Sequence, residues 1–275
     1  MSEPEVTIVV PAWGSYAGEP LQEALASLQA QDTPARIVVV DNASDPPLSA
    51  PEGVEVIRSP ERLTVGAARN LGLECVGTPY VLFWDADDLM LSSTLGFLLR
   101  EIVADERLVA VAAGIVDDET GVRHRWPPRW SARLTAFPRV FAVCHSIWSL
   151  FPSTGATLMS TPAVRAGGGY AASERAVSAE DWVLGVSLAF RGRIRLVERP
   201  GRLYRRLGAS LLEEHGMPAN QLDHAREVRH RLRTDPALPD WARRSAGALE
   251  VLHPLVLLGM APLARRIRGA ARRLG

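Results

Sequence analysis

The chain has 275 residues with 31 basic and 31 acidic side chains, so its formal net charge is zero and no global field draws it to nucleic acid. All the basic residues are arginine, which excludes any mechanism that needs a lysine. The length allows one large domain, or a domain with an extension, and enough chain for a substantial core.

The N-terminus, "MSEPEVTIVVP", has acids where a signal peptide has a basic region, and no stretch reaches the ~18–20 apolar residues of a membrane span. Cys75 and Cys144 lack metal or disulfide-framework spacing and read as core residues of a reducing compartment. A cytoplasmic protein is expected. In chain order, "VTIVV" (6–10), "RIVVV" (36–40), "VEVIR" (54–58) and "YVLFW" (80–84) are β-branched or aromatic runs without polar alternation. Parallel strands covered on both faces look like this; the run at 54–58 is the weakest of the four. Between them Leu21, Ala24, Leu25 and Leu28 take helical spacing after Pro20, and Val65, Ala68 and Leu71 form a second stripe. Leu95, Leu98, Leu99 and Ile102 form a third. Strands alternating with helices predict an α/β fold.

The second half is less regular. "VAVAAGIV" (109–116) and "TGATLMS" (154–160) read as strands, and "RHRWPPRWSARL" (123–134) as a loop excursion. "VRAGGGY" (164–170) breaks the chain before a helix that Ser178 can cap, with Glu180 and Asp181 in its first turn. From about residue 216 the chain turns helical and rich in Ala, Arg and Leu. In its tail Pro262 suits a first helical turn, with Leu263, Ile267, Ala270 and Leu274 on one face and arginines elsewhere. Such a helix either lies in a membrane interface or packs its leucine face on the preceding domain or a second subunit.

The segment "VLFWDADDLM" (81–90) ends a buried run with Asp85, Asp87 and Asp88. Crowded carboxylates raise one another's pKa, so a positive group or a set of hydrogen-bond donors is expected beside them. In parallel sheets ligands bind outside the carboxyl ends of the strands, which puts Asp41 and these aspartates along one edge. An Asp-x-Asp pair there suits a hard divalent cation, Mg²⁺ or Mn²⁺, whose remaining ligands are water and phosphate oxygens. For Asp41 ordinary turn chemistry remains open, as does helix-end electrostatics for Glu180 and Asp181.

Over residues 5–212 the sequence resembles the family 2 glycosyltransferases. The resemblance rests on "VTIVVPAW", "LQEALASLQAQ", "IVVVDNASD", "VGAARNLGL", "YVLFWDADD", "AGGGY", "AEDWVLGVSLAFRG" and "LYRRLGAS", in the family's order. It implies a GT-A fold with a mainly parallel Rossmann-like sheet flanked by helices, and inverting transfer from a UDP-, dTDP- or GDP-sugar. The nucleotide-sugar half is expected at 1–110, the acceptor-binding and catalytic half of the same domain at 111–215, and a helical extension at 216–275. Pro11, Ala12 and Trp13 match the loop that touches the nucleoside, with Trp13 placed to cover a base face. Asp41 matches the acid that hydrogen-bonds the base. Arg69 and Asn70 match a motif beside the nucleotide and donor sugar. The resemblance puts Asp85 and Ala86 by the ribose, makes Asp87 the Mn²⁺ or Mg²⁺ ligand, and assigns Asp181 as general base with Glu180 beside it.

Two departures stand out. Trp13 is followed by Gly14 rather than Asn, and Leu207 occupies a position where the family often has a histidine, leaving His215 as the nearest histidine to complete a metal site. His224 and His230, six apart, read as surface residues. On the acceptor side Trp126, Trp130, Trp148 and Trp182 can stack on sugars, and Arg123, Arg125, Arg129 and Arg133 can meet an anionic acceptor. The acceptor class stays open between saccharide, lipid-linked and small-molecule hydroxyls. Two rival readings are a degenerate nucleotide-sugar binder and a haloacid-dehalogenase-like phosphatase. The latter needs its motif on the first strand and a downstream basic residue, usually lysine.

Overall fold

The computed structural model describes residues 3–16, 18–117, 129–150, 154–174, 179–205 and 217–271. Its framework is a sheet of eight strands among the described residues, in the order β3-β2-β1-β4-β7-β6-β8-β5. The strands are β1 (Val6–Ala12), β2 (Arg36–Asn42), β3 (Val54–Ser59), β4 (Tyr80–Phe83), β5 (Leu89–Met90), β6 (Leu108–Asp117), β7 (Thr157–Ser160) and β8 (Arg193–Tyr204). The first four are parallel, with Ile8 opposite Ile37 and Leu82, and Val39 opposite Val56. All seven residues of β1 are buried, as an apolar run without alternation requires when helices cover both faces. β3 is the outer strand, which is why its pattern is the weakest: Glu55, Val56 and Arg58 are exposed.

Helix α1 (Glu19–Gln29) buries Leu21, Ala24, Leu25 and Leu28, the stripe read from the sequence. Helix α2 (Val65–Glu74) starts at Thr64, whose hydroxyl accepts from Ala67 N at 3.2 Å. Gly72 lets α2 lie against the sheet; a Cβ there would come within 2.3 Å of Val9 Cγ1. Helix α3 is Thr94–Val103. Ile8 and Val10 point into a core with Leu25, Trp84 and Leu98, while Val9 points into a second with Phe83, Met159 and Leu184.

Beyond β4 the sheet becomes mixed. β7 is antiparallel to both β4 and β6, β6 is parallel to β8, and β5 pairs antiparallel with β8 at the far edge. One sheet therefore runs through both halves of the chain. Further helices are α4 (Arg129–Leu134), α5 (Pro138–Ile147), α6 (Thr161–Ala166), α7 (Glu180–Ala189), α8 (Met217–Thr234) and α9 (Asp240–Ala271). A third core joins the last three: Trp182, Val183 and Val186 of α7 meet Val228 and Leu232 of α8 and Ala242, Ala246 and Leu249 of α9.

Four sequence expectations change here. The expected loop at 123–134 is helical from Arg129, and the rest of it lies outside the described residues. Pro262 does not start a helix, because α9 continues through both Pro254 and Pro262; each proline removes one backbone bond without ending the helix. His224 is buried rather than on the surface, as is His253, because α8 and α9 turn one face inward to the third core; His145 is buried on α5, and His230 is exposed. Ser178 lies outside the described residues, and the residue capping α7 is Ala179.

Candidate active site

The parallel strands β1, β2 and β4 deliver their carboxyl ends to one edge of the sheet. Pro11 and Ala12 close β1 in register with Val40 and Asp41. Trp13 follows, half-buried, with Tyr16 edge-on at 5.3 Å and the Arg62 guanidinium 4.5 Å from its ring centroid. A cation already lies over the indole expected to cover a base. Asp41 is fully buried, and its oxygens accept from Ser44 N at 2.9 Å, Leu48 N at 3.2 Å and Arg58 Nη1 at 2.6 Å. Burial alone would raise its pKa; the hydrogen bonds from Ser44 and Leu48 and the Arg58 charge bring it below the usual value. This is the turn chemistry that the spacing also allowed.

At the end of β4 the three aspartates receive different treatment. Asp85 lies between two arginines, Arg69 Nη2 at 2.8 Å and Arg202 Nη2 at 2.5 Å. Burial opposes its ionisation, but the charges of Arg202 and Arg69 prevail and hold it down at about 2. Asp88 is wholly buried; one oxygen pairs with Arg202 and the other accepts from Arg205 N at 2.9 Å. Asp87 forms no ion pair among the described residues. Burial, then repulsion from Asp88 and Asp85, pushes its carboxyl up to about 7 against the pull of Arg202. Ala86, between the pair, is buried. The positive groups that the crowded carboxylates call for are thus Arg69 and Arg202, and they serve Asp85 and Asp88 rather than Asp87.

Arg69 carries the connection across the sheet. From α2 its Nη1 reaches Glu180 Oε1 at 2.8 Å and Asp181 Oδ1 at 2.9 Å, while Nη2 holds Asp85. Burial would lower its pKa, but the carboxylates of Asp181, Asp85 and Glu180 lift it well above the usual value, so it stays charged. The two acids of α7 differ in access: the Glu180 side chain is 10% exposed and that of Asp181 28%. Burial, then the Asp181 charge, pushes Glu180 up to about 7. Asn70 donates to Tyr170 O at 2.9 Å and accepts from Tyr170 N at 2.8 Å. Its amide thereby clamps the glycine turn, in which Gly168 and Gly169 take φ of 75° and 62°.

Arg202 and Arg205, both on or just after β8, were not singled out from the sequence. Arg205 also bonds Asp87 O, Glu23 and, at 3.1 Å, Pro20 O, which ties the aspartate turn to the start of α1. Gly155 makes room for this knot; a Cβ there would stand 2.1 Å from Arg202 Nη1 and 3.2 Å from Asp85 Oδ2. The signal in the sequence was the crowding of the aspartates itself, which required counter-charge without saying from where. Trp182 is a core residue, with its indole N–H on His145 O at 2.6 Å, whereas Trp130 is exposed and Trp148 half-buried. Arg133 is exposed; Arg123, Arg125, Trp126, Leu207, His215 and the side chain of Arg129 lie outside what is described.

The donor set at this edge is carboxylate oxygen, the chemistry of a hard cation. Among the described residues no three His, Cys, Asp or Glu side chains are arranged as a ready metal-ligand set. A hard cation such as Mg²⁺ or Mn²⁺ needs only one or two carboxylates, with phosphate oxygens and water completing its shell. Asp87, an acid that burial and like charge hold up at about 7, is where such a cation would relieve the electrostatics.

The model of Glycosyl transferase family 2 matches residues 7–160. Among solved structures, Staphylococcus aureus TarS 1–349 superposes with a TM-score of 0.63 at 16% identity, over 92% of this chain and 72% of that one. The same fragment in complex with UDP-GlcNAc gives 0.66 at 15% identity, over 92% and 73%, and in complex with UDP 0.62 at 17%, over 91% and 71%. At these identities the likeness is one of fold. No curated protein matches the sequence.

Proposed function

The chain belongs to Glycosyl transferase family 2, and from that premise we propose that it moves a sugar from a nucleoside-diphosphate donor to an acceptor hydroxyl with inversion at the anomeric carbon. The fold is of the GT-A type, α/β with a helical C-terminal segment. The observation that carries the mechanism is the Arg69 bridge, which gathers the β4-end acids and Asp181 of α7 into one cluster.

Asp181 is the general base. Arg69 fixes one of its oxygens, and its carboxylate is the more exposed of the α7 pair. It takes the acceptor hydroxyl proton as that oxygen bonds to the anomeric carbon and the bond to the nucleotide phosphate breaks. Attack from the side opposite the leaving group gives inversion. Glu180 remains buried and supports the arrangement through Arg69. Asp87 would hold Mn²⁺ or Mg²⁺, which when bound would supply Lewis-acid stabilisation of the departing phosphate. Pro11, Ala12 and Trp13 form the nucleoside wall, Asp41 holds the loop under it, and Ala86 carries the backbone past the ribose. Asn70 positions the glycine turn at the donor sugar. Residues 1–110 supply the donor half, 111–215 the catalytic half and 216–275 the helical extension.

A UDP-sugar is the first donor to test, because the TarS structures hold UDP-GlcNAc and UDP. Thermal-shift screening of UDP-, dTDP- and GDP-sugars with Mn²⁺, followed by a transfer assay with hydrolysis controls, is the experiment. A shift with one nucleotide class and turnover to an acceptor support the reading. Binding without turnover to any acceptor hydroxyl, including water, makes the chain a nucleotide-sugar binder.

A further inference from the structure

Helix α9 shows a packed face and an exposed face among its described side chains. At about 1.5 Å per residue its 32 residues span about 48 Å. Ala242, Ala246 and Leu249 are buried against α7 and α8, and His253 is fully buried. The His253 ring bonds Arg229 of α8 through Nδ1 at 2.7 Å and Ser146 O of α5 through Nε2 at 2.8 Å, and meets Trp182 edge-on at 5.9 Å. Around this anchor the opposite face of the helix has no cover among the described residues: Val251 is 65% exposed, Leu255 66% and Leu252 39%. Phe137 and Val140, at the start of α5, are exposed as well.

The C-terminal end of the sequence carries one sign of charge. After Glu250 there is no acid, and Arg265, Arg266, Arg268, Arg272 and Arg273 come after "VLHPLVLLGMAPLA". That apolar stretch is too short to span a bilayer, and no described helix is long and apolar enough to cross one. Exposed aliphatic side chains running into a purely basic segment match an anionic lipid surface, with the aliphatics at the acyl boundary and the guanidinium groups among the headgroups. We infer that the exposed face of α9 at Val251, Leu252 and Leu255, together with the basic sequence that follows it, docks the enzyme on an anionic membrane surface. His253, on the packed face of the same stretch, fastens the helix to α8 and α5 and touches Trp182, the neighbour of Asp181 on α7.

The test is co-sedimentation of the full chain with vesicles of phosphatidylcholine alone, or mixed with phosphatidylglycerol, with oligomeric state followed by light scattering. Binding is expected to the mixed vesicles only. It should weaken between about 0.1 M and about 1 M salt, as the Debye length falls from ~10 to ~3 Å. The pair Val251→Glu and Leu255→Glu should reduce it at least about tenfold. Replacing Arg265, Arg266 and Arg268 with Gln should cost roughly fivefold per residue. The melting temperature of the glutamate pair should match the unaltered chain, because Val251 and Leu255 are exposed. Equal binding to neutral vesicles, or none to anionic ones, overturns the inference. So does a lowered melting temperature, which makes the stripe part of the fold, or a dimer that the glutamate pair converts to monomer, which gives the stripe to a second copy.

Discussion

Arg69 Nη1 donates to Asp181 Oδ1 over 2.9 Å, joining residues 112 positions apart. The same guanidinium reaches Asp85, so one buried cation sets the geometry of the proposed base and of the aspartate turn. Arg69→Met leaves Asp85, Glu180 and Asp181 without it and should destabilise the fold by about 3–5 kcal/mol. Arg69→Lys loses the planar fork and should rescue little. A double-mutant cycle by urea unfolding checks this: Glu180→Gln should be less costly in the Arg69→Met background than alone.

Asp87 and Asp88 should respond in opposite ways. Asp87→Asn removes a carboxylate that lacks an arginine partner among the described residues, so stability should hold or rise slightly. Transfer should be lost, and nucleotide binding should cease to depend on Mn²⁺. Asp88→Asn takes one of the two carboxylates from buried Arg202, leaving it Asp85 alone, and should lower stability by about 3 kcal/mol. Calorimetry of nucleotide binding with and without EDTA, alongside thermal unfolding, separates the two. Metal-independent binding and turnover in the unaltered enzyme would remove the metal assignment.

For the α7 acids, Asp181→Asn keeps the shape and should lower kcat about 10²–10⁴-fold with donor affinity little changed. Glu180→Gln should cost less, because that carboxyl is buried and held up at about 7. A fully active Asp181→Asn enzyme would return this residue to helix-end electrostatics.

Gly155→Ala should disturb the arginine knot without altering any charge. Its Cβ would meet Arg202 Nη1 at 2.1 Å, and Arg202 cannot swing away without leaving Asp85 and Asp88. Overpacking of this kind costs typically about 1–3 kcal/mol. Thermal unfolding checks the loss, and a kcat that falls with it places the Arg202 geometry in the catalytic arrangement.

His145 predicts a pH dependence of stability. It is fully buried, its Nδ1 accepts from Leu150 N at 2.8 Å, and burial lowers its pKa to about 3. The unfolded chain, with a histidine near the ordinary value of 6.5, binds the proton first as pH falls. This stability is therefore present above about pH 6.5 and is lost progressively towards pH 3. His145→Asn keeps an acceptor for Leu150 N but cannot titrate. Urea midpoints between pH 7.5 and 5 should fall less steeply for the variant, at a lower overall stability; parallel curves would contradict the assignment.

The local signals in this sequence were strong where burial dictates residue type. The runs at 6–10, 36–40 and 80–84 became β1, β2 and β4, because a strand covered on both faces admits few polar side chains. The stripe from Leu21 to Leu28 became α1 for the equivalent reason in a helix. The aspartates after β4 also announced themselves, since parallel topology leaves strand ends at one edge. Sequence spacing did not reveal which cation would meet each acid. Arg202 lies 117 residues from Asp85, and the pairing of β8 with β5 and β6 brings it back to the turn. Nor did it separate two roles for Asp41, because an acid that closes a turn and an acid that meets a ligand obey the same local pattern. The buried histidines, the inward face of α8 and α9 and the exposed face at Val251 and Leu255 belong to the tertiary structure for the same reason. A helix has several faces, and which of them is covered depends on the neighbour that folding brings, here α7 with Trp182 and its proposed base one residue away.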